Sequence, residues 1–181
     1  PFQYQILKKL KFDKFDLKYI KYLTQAGGSL NKEDLKYFLT VCKKKKIDFI
    51  QMYGQTEASP RISYLPFFKA ANKIGSIGKA IPGGRMYLKK KKKEKIGEII
   101  YKGKNVFMGY SLSFKDLNNR IKKNKILNTG DFAWKDDQGY YYIIGRKDKF
   151  VKLAGLRVNL EEIKSQLKDE NISIELLQKN N

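Results

Sequence analysis

Apolar and polar positions follow two regimes along this chain. The first is a strand–helix–strand pattern. Residues 19–25, YIKYLTQ, alternate and stop at Gly27-Gly28, which predicts a strand ending in a turn. The following stretch, SLNKEDLKYFLTVCKKKK, sets Leu35, Phe38, Leu39 and Cys42 at i, i+3, i+4 and i+7, one apolar face of a helix. Ser29 or Asn31 can cap it, Glu33 and Asp34 suit its first turn, and lysines 43–46 lie where the helix dipole favours cations. IDFIQMY (47–53) reads as a second strand. Parallel strands joined by a crossover helix bring their carboxyl ends to one edge of the sheet, where open α/β sheets bind ligands. The loops AGGS (26–29) and YGQTE (53–57) are therefore expected side by side.

The second regime begins near Gly75, with short strands and turns. GGRMYLKK and GEIIYKG flank a lysine-rich run that suits a solvated hairpin loop. GDFAWKDDQGYYYIIG reads as another hairpin, turning at DDQG. A helical pattern returns at NLEEIKSQLKDE, with Asn159 as its cap and Ile163 and Leu167 on one face, and NISIELL suits a strand. The fold class is thus α/β: a β-α-β sheet portion over 1–70, then a β-rich subdomain from 71 on, with a helical pattern returning after it.

Composition narrows the chemistry. The chain has 181 residues, 41% of them hydrophobic, so it is expected to fold around a core. No apolar run reaches membrane-spanning length and no secretory pattern opens it. It starts at Pro1, which suggests a start inside a longer protein. Cys42 has no partner for an internal disulfide and suits a small buried hydrophobe; a reducing cytoplasm is the expected setting. The absence of histidine excludes Ser-His and Cys-His nucleophilic catalysis and the usual zinc sites within this segment. The net charge of +21 invites a polyanion. It comes almost wholly from lysine, much of it in runs, whereas bidentate recognition of bases and phosphates favours arginine, of which there are five. No specific nucleic-acid partner is expected.

Three polar constellations remain. Gly27-Gly28-Ser29 is either an ordinary tight turn or a place where a ligand nears the backbone. Tyr53-Gly54-Gln55-Thr56-Glu57 is either a polar loop or a platform for a base, a hydroxyl for a phosphate and a carboxylate for Mg²⁺. In the third, Asp131 either caps a turn or accepts from two ribose hydroxyls, and Arg146 either pairs at the surface or reaches a nucleotide. Lys152, Gly155 and Arg157 follow soon after.

The ordered spacing YGQTE, TGD, then D..GY, IGR.D..K..G.RV and EI resembles the adenylate-forming, AMP-binding superfamily: acyl-CoA synthetases, peptide-synthetase adenylation domains and luciferase-like enzymes. AGGS, SIGKAIPGG and GEIIYKGKNVFMGY fit the same pattern, so the resemblance runs from about residue 17 to 170. It implies that residues 1–147 end a large N-terminal domain and that 148–181 begin a small α+β C-terminal domain. It also implies a two-step reaction. ATP and a carboxylic acid give an acyl-adenylate and pyrophosphate, and the thiol of CoA or of a carrier-protein pantetheine then takes the acyl group.

By motif position, the resemblance sets Tyr53 against adenine with Gln51 and Met52 beside it, and Gly27, Gly28, Ser29, Gly54 and Gln55 around the nucleotide. It makes Thr56 a contact of the α-phosphate, Glu57 the Mg²⁺ ligand, and both catalytic. Asp131 and Arg146 fall at the ribose. Asp148 matches the hinge, and Lys152, Gly155 and Arg157 match the nucleotide or thiol side of the small domain. Asp148 leans the reading toward the CoA and peptide-synthetase branches.

The departures matter too. A Ser/Thr/Gly-rich phosphate loop and a Gly-Lys catalytic lysine are missing from these 181 residues. The expected protein is a carboxylate–CoA ligase of which this is a middle segment, cytoplasmic, monomeric or homodimeric, and inactive as an isolated piece. A domain loading an amino or aryl acid onto a carrier protein is the alternative within the family. A non-catalytic remnant or a polyanion-binding protein is the alternative outside it.

Overall fold

The structure, a computed structural model, describes residues 1–118, 125–147, 150–153 and 156–159. Helix α1 (Phe2–Lys9), for which the polar pattern gives no signal, opens the chain. Strands β1 (Tyr22–Gln25) and β2 (Asp48–Tyr53) run parallel, Gln25 opposite Gln51, and α2 (Lys32–Lys45) crosses between them. The β-α-β unit is therefore as the periodicity predicts. β1 is shorter than predicted because Ile20 spends its N–H on the Leu17 carbonyl in a turn (2.9 Å).

One face of α2 explains its place. Leu35, Phe38, Val41 and Cys42 are buried, and Phe38 lies parallel to Phe49 of β2, centroids 6.3 Å apart. Tyr4 of α1 meets both rings edge-on and donates from its hydroxyl to the Thr24 carbonyl (2.6 Å), binding helix layer to sheet. Burial pushes the Cys42 thiol up to about 11, which leaves it an inert apolar filler.

Asn31, not Ser29, caps α2: its Oδ1 accepts from the Asp34 N–H at 2.7 Å. Asp34 in turn pairs with Lys8 of α1 at 2.6 Å. Asn31→Ala is expected to lower stability by about 1 kcal/mol. Urea unfolding checks this, as a lower midpoint at unchanged slope.

Beyond β2 the sheet departs from the parallel expectation. β3 (Ser63–Leu65) and β4 (Lys79–Ala80) add antiparallel, in the order β1-β2-β3-β4, with the short helix α3 (Phe67–Ala70) between them. The connection 54–62 is too short for a parallel return, which needs a dozen or more residues. It is long enough for a 3₁₀ turn, Thr56–Ala58, and a reversal.

The second sheet is an antiparallel meander, as the hairpin patterns predict: β5 (Arg85–Lys89), β6 (Gly97–Lys102), β7 (Ile126–Lys135) and β8 (Tyr141–Arg146), in that order. Backbone bonds between Gly78 or Ile77 and Tyr141 join it to the first sheet. The half-buried Lys73–Asp136 pair, at 2.7 Å, reinforces the junction. A separate antiparallel pair, β9 (Phe150–Leu153) and β10 (Leu156–Asn159), sets Lys152 opposite Arg157 in register. Asp148, Gly155, the helix predicted after Asn159 and the strand in NISIELL lie outside the described residues. Among the described residues no helix is long and apolar enough to cross a membrane.

Candidate functional site

The parallel pairing of β1 with β2 delivers both polar loops to one sheet edge, as expected. They line one cavity of about 610 Å³. Its wall is Ala26 and Gly27 from the first loop, Gly54, Gln55, Thr56, Glu57, Pro60 and Arg61 from the second, and Arg146 from the end of β8. The glycine pair adopts φ values of +74° and +129°, which side chains with a Cβ rarely take. Gln25 fixes that loop from inside by donating its amide to the Gly28 carbonyl. Gly28 and Ser29 stand exposed beyond the wall.

The second loop is locked to the meander through one carboxylate. Asp131, 6% exposed, accepts at Oδ2 from the Tyr53 hydroxyl (2.5 Å) and from Gln55 Nε2 (2.8 Å). Gln55 Nε2 also donates to the Thr129 carbonyl at 2.8 Å. Asp131 is the register partner of Arg146, whose Nε lies 3.8 Å from Oδ1. A turn cap is therefore not its role here: the turn is held by Thr129, whose hydroxyl accepts from the Asp131 N–H (3.1 Å) and donates to Ile99 (2.8 Å). Burial first, then the Asp131 charge, raises the Tyr53 phenol well above its ordinary range, so it stays a donor.

Thr56 is exposed at the start of the 3₁₀ turn and lines the cavity. Glu57 follows, its Oε1 accepting from the Tyr110 hydroxyl at 2.5 Å. That bond, with a backbone bond and the nearby Arg146 charge, holds the Glu57 carboxyl below the usual carboxylate range. Gln51 and Tyr53 share one face of β2 and Met52 takes the other. Gln51 is buried, and its Oε1 has no hydrogen-bond partner among the described residues.

No group of three or more Cys, Asp or Glu is gathered for a metal among the described residues. A lone ionised carboxylate beside an exposed hydroxyl fits Mg²⁺, which takes one or two carboxylates together with a substrate's phosphate oxygens and water. It does not fit a metal caged by protein alone.

A family model described as AMP-binding enzyme matches residues 2–111. The chain belongs to the AMP-binding enzyme family. It is 31% identical over 173 residues to a probable 4-coumarate–CoA ligase 2 of Dictyostelium discoideum, covering 92% of this chain and 31% of that protein. It is 34% identical over 134 residues to the 2-succinylbenzoate–CoA ligase of Oceanobacillus iheyensis, covering 73% of this chain and 28% of that one. Its fold matches the o-succinylbenzoate CoA synthetase of Bacillus subtilis in complex with the acyl-adenylate intermediate, with a TM-score of 0.71, 24% identity, and 91% and 34% of the two chains covered. The chain thus spans about a third of the length of the relatives it matches.

In this member of the AMP-binding enzyme family, the two loops, Asp131 and Arg146 lie close together. Pro60 and Arg61 also line the cavity, and no motif points to them; their only signal is position, just after TEAS. Asn105 and Tyr110, which hold the Glu57 turn, carry no signal of their own within GKNVFMGY. Lys152 and Arg157 are register partners on the β9–β10 pair.

Proposed function

We propose that this chain carries the nucleotide site of an ATP-dependent carboxylate–CoA ligase, with residues 1–147 ending the nucleotide-binding domain and 148–181 beginning the mobile one. The observation that carries the reading is the junction at Asp131. One buried carboxylate collects Tyr53, Gln55 and Arg146, and the loop it steadies presents Thr56 and Glu57 to a polar cavity. Relatives that are CoA ligases favour CoA over a carrier-protein thiol as the acyl acceptor. The acid is a carboxylic acid of unassigned class. We place the intact enzyme in the cytoplasm, as a monomer or homodimer.

In this reading Asp131 accepts from the ribose hydroxyls while Arg146, paired to it, keeps its charge near the sugar–phosphate junction. Tyr53 supplies the ring beside the base. Gln51 Oε1, buried and unpartnered among the described residues, is an acceptor suited to a base's amino group. Thr56 donates to an α-phosphate oxygen. The substrate carboxylate attacks the α-phosphorus, an oxygen–phosphorus bond forms, and the bond to pyrophosphate breaks. Charge gathers on the phosphate oxygens, where fixed donors stabilise it without reorganising. Glu57 is the residue that would hold Mg²⁺, which when bound neutralises the phosphates. Gly155, Lys152 and Arg157 serve the thiol step, with Asp148 as the hinge.

Titration calorimetry with AMP tests this. Binding is expected to persist at high salt, because a ribose and a base contribute most of it. A polyanion-binding surface gives affinity that collapses with salt and is the result that overturns the reading. Acid-dependent ATP–pyrophosphate exchange by the 181-residue chain alone is expected to be absent, since the phosphate loop and the catalytic lysine that the resemblance calls for are not in it.

A further inference from the structure

The segment after β6 lies across the 3₁₀ turn that carries Glu57. Asn105 donates from Nδ2 to the carbonyls of Ala58 (2.5 Å) and Arg61 (2.8 Å), and its Oδ1 accepts from the Tyr101 hydroxyl (2.7 Å). Phe107 donates its N–H to the Glu57 carbonyl at 2.8 Å. These bonds fix the backbone of the turn from the meander's side. The side chain is fixed separately. The Tyr110 hydroxyl donates to Glu57 Oε1 at 2.5 Å, and the Tyr110 ring meets Phe107 edge-on with centroids 4.9 Å apart.

Tyr110 is 67% exposed, so burial does not account for its position. The Glu57 bond and the Phe107 contact do. A hydroxyl donating to an ionised carboxylate makes a charge-assisted bond. It ties one oxygen of a flexible side chain, and Oε2 has no hydrogen-bond partner among the described residues.

We propose that Tyr110 is a positioning residue for the divalent cation. It holds Glu57 by Oε1 so that Oε2 is a pre-oriented ligand. The inference rests on the reading of Glu57 as the cation's ligand. It adds that the β-rich subdomain, through a residue outside the cavity wall, sets how well the nucleotide's metal is held. Base and ribose recognition, built on Tyr53, Asp131 and Arg146, does not pass through Tyr110.

The test compares the 181-residue chain with Tyr110→Phe, Glu57→Gln and the double variant. Calorimetry reads three affinities: AMP without metal, ATP with a chelator, and ATP with Mg²⁺. The quantity of interest is the gain in ATP affinity that Mg²⁺ brings. Tyr110→Phe keeps the ring against Phe107 and removes only the hydroxyl. It is expected to cut that gain by about tenfold, the effect of losing one hydrogen bond to a charged group, and to leave AMP affinity unchanged. Glu57→Gln removes the gain, and adding Tyr110→Phe to it changes nothing further. Equal losses for AMP and Mg²⁺-ATP in Tyr110→Phe mean a structural role and overturn the proposal, as does an undiminished Mg²⁺ gain. A wild-type chain that binds AMP but keeps its Mg²⁺ gain in Glu57→Gln removes the ligand role and this inference, yet leaves the nucleotide site standing. A wild-type chain that binds no AMP removes the nucleotide reading itself.

Discussion

Asp131→Ala is expected to cut AMP affinity by about 100-fold or more and to destabilise the fold at the same time. Its carboxylate is buried and already accepts from Tyr53 and Gln55, with Arg146 alongside. Hydrogen bonds to a charged group contribute about 1.5–3 kcal/mol each, so losing the two from a ribose accounts for the affinity. Removing the acceptor also strands the Tyr53 hydroxyl. An unsatisfied buried donor costs about 1–3 kcal/mol, which is the expected stability loss. Asp131→Asn separates the two effects. Its amide oxygen still accepts from Tyr53, so the urea midpoint stays near wild type while AMP binding weakens through the lost charge. Calorimetry and urea unfolding on both variants check this. An Ala variant that binds AMP as well as wild type rules Asp131 out of the site.

Gly54→Ala is expected to be the second most damaging change. Its φ is not in the left-handed region, so conformational freedom is not what the glycine supplies. A Cβ there would sit 1.5 Å from the Pro60 carbonyl oxygen and 2.6 Å from its carbon, both backbone atoms of the same loop. Backbone cannot yield as a side-chain tip can. The loop from 54 to 61 must open, carrying Gln55 away from Asp131 and Glu57 away from Tyr110. We expect a loss of about 1–3 kcal/mol, the usual range for overpacking, and no measurable AMP binding. Gly27→Ala is the control. Nothing lies within 4 Å of its Cβ position, and the only penalty is a φ of +74°. That variant should keep most of its stability. If Gly54→Ala retains wild-type stability and AMP affinity, the close approach to Pro60 is not a constraint.

The two glycines show what a sequence carries. Gly27 and Gly54 both stand in a polar loop that follows a strand. Only the fold distinguishes a glycine needed for its φ from one needed because another backbone segment passes against it. Arg61 and Tyr110 make the same point from the polar side. Arg61 lines the cavity because the chain reverses after the 3₁₀ turn. Tyr110 reaches Glu57 across 53 residues of sequence.

By itself the sequence determined the local elements and their chemistry. The 3.6-residue apolar period made α2, the alternation made β1 and β2, the turn residues made both hairpins, and the motif spacing pointed to the family. The helix, strands and hairpins depend on neighbours a few residues apart, which a sequence orders directly, and the family on the order and gaps of motifs along the chain. Tertiary structure alone decided the antiparallel continuation of the first sheet, the role of Asp131 as the acceptor that joins Tyr53 and Gln55 to Arg146, and the tether between Tyr110 and Glu57. Tyr53 and Asp131 are 78 residues apart. Contacts of that kind follow from how two sheets dock, through Tyr141 and the Lys73–Asp136 pair, and docking is set by the summed packing of whole surfaces rather than by any local pattern.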